Sequence, residues 1–281
     1  MVSDLDGTLL DHDTYSCEAA EPALDLLESL SIPLVLASSK TAPEVRRLRR
    51  QLGNVHPFIV ENGAAIWMPA SDRYQRPEGT LLRDGYWVRE LASPRARWLG
   101  LLDALRADFA GEFTSFAEAG PVGIAAMTGL DLRAAELANL RQYSEPVQWL
   151  GTPERLLDFL GCCRAAGGRV SSGGRFHALS SNVDKGVALR WLRQEIARSQ
   201  PGRPLHVLAA GDGDNDTPML ECADTALVVR APDREAPLLA RRSGVIRSEC
   251  GGPAGWAEGI TRWLCERHLV SSTDAPVPRD G

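Results

Sequence analysis

Two aspartates two residues apart stand near the start of the chain, in Val2-Ser3-Asp4-Leu5-Asp6-Gly7-Thr8-Leu9-Leu10-Asp11. In extended backbone, residues i and i+2 project to the same side, so Asp4 and Asp6 can face one site. The glycine behind them permits a sharp exit from a strand. Carboxylates placed this way can hold a divalent cation through oxygen. They can also divide a reaction between them, one attacking phosphorus while the other handles a proton. A plain strand-to-turn junction with solvated aspartates has the same spelling, so the rest of the chain must decide.

A second acidic cluster, Gly211-Asp212-Gly213-Asp214-Asn215-Asp216, follows the apolar run Leu205-His206-Val207-Leu208-Ala209-Ala210. Three carboxylates and an amide within five residues repel one another without a counter-cation. A Mg²⁺ held by one or two carboxylates, a backbone carbonyl and waters answers that need. The alternation also opens like a calcium loop, but the glycine at the sixth loop position and the closing glutamate are missing. Of the 31 basic residues, only Lys40 and Lys185 are lysine. Where arginine serves almost everywhere, a lysine marks a position that needs a compact ammonium, unless the distribution is chance.

The elements that must carry these groups alternate. Glu18 to Leu30 has a helical apolar period, and Pro33 to Ala37 is a short apolar run suited to a buried parallel strand. Thr41 and Glu44 form a capping-box pattern before a helix faced by Val45, Leu48 and Leu52. Phe58-Ile59-Val60 then runs into Glu61-Asn62-Gly63. This βαβαβ order predicts an α/β fold with a Rossmann-like doubly wound parallel sheet, whose ligands sit at the carboxyl ends of strands. Asp4, Ser38 and Glu61 all fall at such ends. Farther on the rhythm changes. Helices are predicted at Ser93-Pro94 onward, Leu132 to Tyr143 and Thr152-Pro153 onward, with strands at Gly123 to Met127 and Gly168 to Leu179. This pattern predicts an inserted α+β domain over 81–180, a core made of 1–80 and 181–268, and a disordered polar tail over 269–281. Within the resumed core, Asp184-Lys185-Gly186 opens a helix, and Ala236 to Arg241 is expected to be a further regular element.

A chain of 281 residues can bury a sizeable core. Its net charge of −6 and lack of a basic run argue against nucleic acid as a partner. No stretch is apolar enough for a membrane span, and six cysteines without metal-type spacing read as reduced thiols, so a cytoplasmic location is expected. Oligomeric state leaves no trace in the sequence.

Asp4-Leu5-Asp6-Gly7-Thr8, Ser38 after a strand, Lys185 opening a helix, and Gly211 to Asp216 occur in an order that resembles the haloacid dehalogenase superfamily of phosphotransferases. The insert resembles that superfamily's α/β cap. The resemblance implies that Asp4 becomes an aspartyl-phosphate and that Asp6 protonates the leaving oxygen and then activates water. Ser38 would donate to a phosphoryl oxygen, and Lys185 would supply positive charge. Asp4, the Asp6 carbonyl and Asp212 would bind Mg²⁺, with Asp216 beside the metal or behind it.

A narrower resemblance, to the mannosyl-3-phosphoglycerate phosphatases, rests on Ser38-Ser39-Lys40-Thr41, Glu61-Asn62-Gly63-Ala64 and Gly173-Gly174-Arg175-Phe176-His177 before Asp184-Lys185-Gly186. It implies a phosphorylated sugar or glycosyl-phosphoglycerate substrate and the compatible solute mannosylglycerate as product. Ser39, Lys40, Glu61, Asn62, Gly63, Arg175, His177 and Asn215 are its candidate substrate contacts, with Lys40, Arg175 and His177 supplying positive charge. Each also has a purely structural explanation, in a helix cap, a turn or a packed core. Glucosyl-3-phosphoglycerate, Cof-type sugar phosphates, a phosphosugar mutase and a silent binding protein are the alternatives. Only Met1 to Ser3 precede Asp4, which is short for a central strand, so a natural start upstream or a weakened first strand is expected.

Overall fold

The computed structural model describes residues 1–71, 74–173, 176–232 and 234–270. The chain opens with β1 (Val2–Ser3), α1 (Glu21–Ser29), β2 (Val35–Ala37), α2 (Ala42–Gln51), β3 (Phe58–Val60), β4 (Ala65–Pro69), β5 (Leu81–Arg83) and β6 (Tyr86–Glu90). It continues with α3 (Arg95–Leu105), β7 (Phe113–Ser115), α4 (Phe116–Thr128), α5 (Leu132–Asn139), β8 (Glu145–Trp149), α6 (Pro153–Ala165), β9 (Arg169–Gly173) and β10 (Phe176–Ser180). It closes with α7 (Lys185–Ser199), β11 (Leu208–Gly211), α8 (Thr217–Cys222), β12 (Thr225–Arg230), β13 (Val245–Gly251) and α9 (Gly252–Glu266).

The larger sheet runs β13-β12-β11-β1-β2-β3-β4-β6-β5, and from β13 to β3 every pairing is parallel. Adjacent residues of its short strands go to opposite faces, as the two-residue period of a strand requires. Leu36, Phe58 and Ala210 pack with Ala23, Leu27, Trp256 and Ile260 on one face. Ala37, Ile59 and Ala209 pack with Leu189, Leu192 and Met219 on the other. Helices therefore cover both faces, which is why these strands are apolar throughout. The chain runs from β1 through β2 and β3 in one direction, and β11, β12 and β13 lie in the other. β1 and β11 thus straddle the point where strand order reverses, where an open α/β sheet leaves a crevice.

β1 is only two residues long, flanked by Val35 and Leu36 on one side and Ala209 and Ala210 on the other. The amide of Asp4 extends this ladder by donating to the Ala210 carbonyl at 2.9 Å. Ser3 accepts a hydrogen bond from the buried Trp256 indole at 2.9 Å and donates to the Asp4 carbonyl at 2.7 Å. The backbone that presents Asp4 is tied on both sides.

A second, antiparallel sheet, β7-β8-β10-β9, carries α3 and α6 through Trp98, Leu102, Phe159 and Cys163. Several expectations change here. Residues 81–90, assigned by sequence to the insert, form β5 and β6 and extend the large sheet. Gly123 to Met127 lies in the second part of α4, beyond a kink at Gly120 (φ 59°), while the Ser115 hydroxyl caps the first part by accepting from the Glu118 amide. A helix through Tyr143 is not formed: α5 stops at Asn139. Within Gly168 to Leu179 the described residues form two antiparallel strands, β9 and β10. Ala236 to Arg241 is neither helix nor strand, and the edge strand β13 was not anticipated. The expected tail falls largely on 271–281, outside the described residues. Among the described residues, no helix is long and apolar enough to cross a membrane.

Candidate active site

Asp4, Ser38, Glu61 and Asp212 each follow directly on a strand of the parallel set, β1, β2, β3 and β11. Adjacent parallel strands end together, so their following residues converge at one edge. Two glycines allow the loops to meet. Gly7 (φ +79°) faces the Asp212 carboxylate so closely that a Cβ would lie 2.7 Å from its Oδ2. Gly63 (φ +96°) leaves no room for a Cβ beside the Asp184 carbonyl, which brings the start of α7 against the turn after β3.

At the centre, Lys185 is fully buried and donates to Asp4 Oδ1 at 2.5 Å and to Asp216 Oδ1 at 2.7 Å. Its ammonium is held above its usual pKa: burial opposes the charge, but Asp216 and Asp4 outweigh burial. The other oxygen of Asp216, Oδ2, accepts from the amides of Asp212 and Gly213 at 3.2 and 3.1 Å. Asp216 therefore shapes the loop and orients Lys185. Asp212 accepts from the Thr8 hydroxyl at 2.9 Å and is capped by the Arg234 guanidinium.

Carboxylate oxygens of Asp4, Asp212 and Asp216 lie within 4.8 Å of one another, all buried. Lys185 and Arg234 together do not balance three carboxylates. Asp4 is held well above the usual carboxylate range, first by burial and then by Asp216. Asp212 is raised chiefly by burial, against the pull of Arg234. A compact set of hard oxygen donors short of positive charge is what a divalent cation such as Mg²⁺ fits.

Asp6 turns its side chain away from that triad. Its Oδ2 pairs with Lys40 at 2.9 Å, while Oδ1 is buried without a hydrogen-bond partner among the described residues. Lys40 also lies over the Tyr15 ring, 4.9 Å from its centroid. Burial disfavours the Lys40 charge, but Asp6 and Glu44 more than offset it and raise its pKa. Ser38 is buried, and its hydroxyl accepts from the Lys40 amide at 3.1 Å. The predicted capping box is present at Thr41 and Glu44, which fixes the start of α2 just behind this turn.

The remaining candidates divide. Asn62, in the left-handed region at φ 57°, accepts from the Asn215 amide at 3.3 Å, so these two meet across the second acidic loop. Glu61 is buried, and its carboxylate accepts from the amides of Gln142, Tyr143 and Ser144 and from the Ser144 hydroxyl. Those bonds anchor the segment between α5 and β8 to the core. The Ser39 carbonyl accepts from Arg141 at 2.7 Å in the same seam. His177 sits on β10, paired with Val147 of β8 and Ser172 of β9 in the smaller sheet. Arg175 lies outside the described residues. Arg234 was missed, because nothing in its local sequence ties it to a loop some twenty residues earlier.

Residues 1–77 match the family described as haloacid dehalogenase-like hydrolase, and residues 166–264 match sucrose-6F-phosphate phosphohydrolase. The glucosyl-3-phosphoglycerate/mannosyl-3-phosphoglycerate phosphatase of Methanococcoides burtonii is 36% identical over 258 residues, covering 92% of this chain and 94% of that one. Among solved structures, a Thermoplasma acidophilum protein has a TM-score of 0.64 at 19% identity, covering 96% of this chain and 97% of its own. The sucrose-phosphatase of Synechocystis, solved with sucrose and phosphate, has a TM-score of 0.57 at 17% identity, covering 94% and 96%. At these identities the two structures speak for the fold.

Proposed function

The chain belongs to the haloacid dehalogenase-like hydrolases, as a phosphatase resembling the glucosyl-3-phosphoglycerate/mannosyl-3-phosphoglycerate phosphatase, and from that premise we propose that it dephosphorylates a glycosyl-3-phosphoglycerate. Mannosyl-3-phosphoglycerate is the first substrate, giving mannosylglycerate, with glucosyl-3-phosphoglycerate next. The observation that supports the chemistry most is the buried ammonium of Lys185 between Asp4 and Asp216, with Asp212 beside them.

In this reading Asp4 is the nucleophile. Lys185 engages its Oδ1 and favours the ionised carboxylate, and an oxygen of Asp4 attacks phosphorus to give an aspartyl-phosphate. Asp6, its carboxyl group turning toward the phosphoryl group from the pose it holds here, gives a proton to the departing glycerate oxygen and takes one from the water that then attacks the acyl phosphate. Lys40, paired to one oxygen of Asp6, orients that carboxyl group. Ser38 donates its hydroxyl proton to a phosphoryl oxygen while its oxygen accepts from the Lys40 amide. Asp4, the Asp6 carbonyl and Asp212 would hold Mg²⁺, with Asp216 behind them. Bound there, the cation neutralises negative charge on the phosphoryl group as it transfers. Ser39, Lys40, Asn62, Gly63, Asn215, His177 and Arg175 remain the proposed surroundings of the sugar and glycerate carboxylate. Glu61 is better understood as an anchor of the insert.

Phosphate release from mannosyl-3-phosphoglycerate, glucosyl-3-phosphoglycerate, sucrose-6F-phosphate and simple hexose phosphates, with Mg²⁺ and with EDTA, tests the proposal. The expected order puts the two glycosyl-phosphoglycerates first, with release lost in EDTA. Preference for sucrose-6F-phosphate or hexose phosphates would replace the substrate and keep the chemistry. Isomerised sugar phosphate without free phosphate would make the protein a mutase.

A further inference from the structure

We propose that the seam between α2 and α5 is a binding site for a small anion carrying phosphate or carboxylate groups. Pro43, Arg46, Arg47 and Arg50 recur at i, i+3, i+4 and i+7, so they share one face of α2. That face is distinct from the buried one, which carries Ala42, Val45 and Arg49 into the core. Across from it, α5 contributes Arg133 and Leu137, and the six residues line an open groove of about 450 Å³ with Arg47, Arg50 and Arg133 exposed. None of the six is acidic.

The charges there do not balance. Arg46 pairs with Asp84 at 2.7 Å and Arg133 with Glu136 at 2.9 Å. Arg47 and Arg50 have no ion pair among the described residues. Four guanidinium groups against two carboxylates leave a local positive excess in a chain whose net charge is −6. The two existing pairs are at the surface, where such bridges contribute little and exchange readily for another anion. Planar guanidiniums match phosphate and carboxylate oxygens in bidentate pairs. The volume lies within the range of small-molecule pockets, roughly 300–1,000 Å³. It suits a small polyanion rather than a macromolecular surface.

The site bridges two parts of the fold. Leu137, on its wall, accepts a hydrogen bond through its carbonyl from the Thr41 hydroxyl at 2.9 Å. Thr41 is the N-cap of α2 and directly follows Ser38, Ser39 and Lys40. An anion clamped between the helices ties the insert to the core beside the turn that carries Ser38. None of Asp4, Asp6, Ser38, Lys185 or Asp212 lines the groove, so the site is separate from the proposed catalytic one.

Calorimetric titration of the full chain with inorganic pyrophosphate, in EDTA and at low salt, tests the proposal. Saturable binding is expected in the wild type and in Asp4→Asn, weakened at least tenfold in the Arg47→Gln/Arg50→Gln double variant with its circular dichroism unchanged. Absence of saturable binding to the wild type overturns the proposal, as does equal affinity in the double variant. Binding lost in a Lys185→Met variant that keeps the wild-type circular dichroism, but kept in the double variant, would place the anion beside Lys185 in the catalytic site and overturn it too. Should the double variant not fold, Arg133→Gln, at a side chain 72% exposed, carries the same tenfold expectation.

Discussion

Glu61→Ala separates an anchoring role from a substrate contact. The Glu61 carboxylate accepts from the amides of Gln142, Tyr143 and Ser144 at 2.8, 3.2 and 2.9 Å and from the Ser144 hydroxyl at 2.6 Å. Tyr143 and Ser144 are each 3% exposed, so their amides cannot turn to water once the carboxylate is gone. A buried donor left unsatisfied costs roughly 1–3 kcal/mol, so two of them cost roughly 2–6 kcal/mol. Arg141, 3.6 Å from the carboxylate, loses its counter-charge at a side chain only 8% exposed. A loss of about 4 kcal/mol is therefore expected, which at roughly 2–4 °C per kcal/mol lowers the melting temperature by about 8–16 °C. Glu61→Gln keeps the volume but places its own amide donors among four donors, so it should lose most of the same stability. Thermal and urea melts followed by circular dichroism measure both. A melting temperature within about 2 °C of wild type, with a raised KM, would refute the anchor and restore Glu61 to the substrate.

Four further outcomes are expected. Asp6→Asn should lower phosphate release by roughly 10²–10⁴-fold, the usual contribution of a positioned acid–base group, in a steady-state phosphate assay. Lys185→Met strands two buried carboxylates and should cost about 3–5 kcal/mol in urea melts, with millimolar Mg²⁺ restoring part of it. Gly63→Ala must combine a positive φ with a clash at the Asp184 carbonyl, so a loss of more than about 2 kcal/mol is expected by the same melts. Burial pushes the Cys163 thiol up to about 11, so its thiolate is scarce at pH 8 and grows only as pH approaches that value. Iodoacetamide mass mapping at pH 8 should therefore label the exposed Cys250 and spare Cys163 until the chain unfolds.

The parallel sheet was legible because its strands are short apolar runs that end in chemically distinct residues. Asp4, Ser38, Glu61 and Asp212 could be put at strand ends without knowing strand order. The rarity of lysine pointed to both Lys185 and Lys40, and both prove to be paired with aspartates of the first motif. Lys40 nevertheless meets Asp6 directly, a contact that no local pattern encodes. Glu61 looked like a substrate contact because Glu61-Asn62-Gly63-Ala64 resembles a family motif, while its partners at 142–144 lie some eighty residues away. Gly123 to Met127 looked strand-like because its apolar run is short, whereas it lies in a helical piece that starts afresh after Gly120 (φ 59°), with Pro121 at its beginning. β13 was missed because Ile246 alone among its residues is buried, so it shows no alternation. Interactions within a turn or a helix were readable from the local pattern; of those across the fold, the meeting of Lys185 and Asp212 with Asp4 came only from the family resemblance, and the others left no sign.

The central claim is that Asp4 carries the phosphoryl group, and acid quenching during turnover tests it most directly. Chain mixed with ³²P-labelled mannosyl-3-phosphoglycerate and Mg²⁺, quenched and digested, should yield an acid-stable, base-labile label on the peptide containing Asp4. Asp4→Asn should yield none and release no phosphate. Turnover by wild type with label on another residue, or phosphate release by Asp4→Asn at the wild-type rate, would contradict the account.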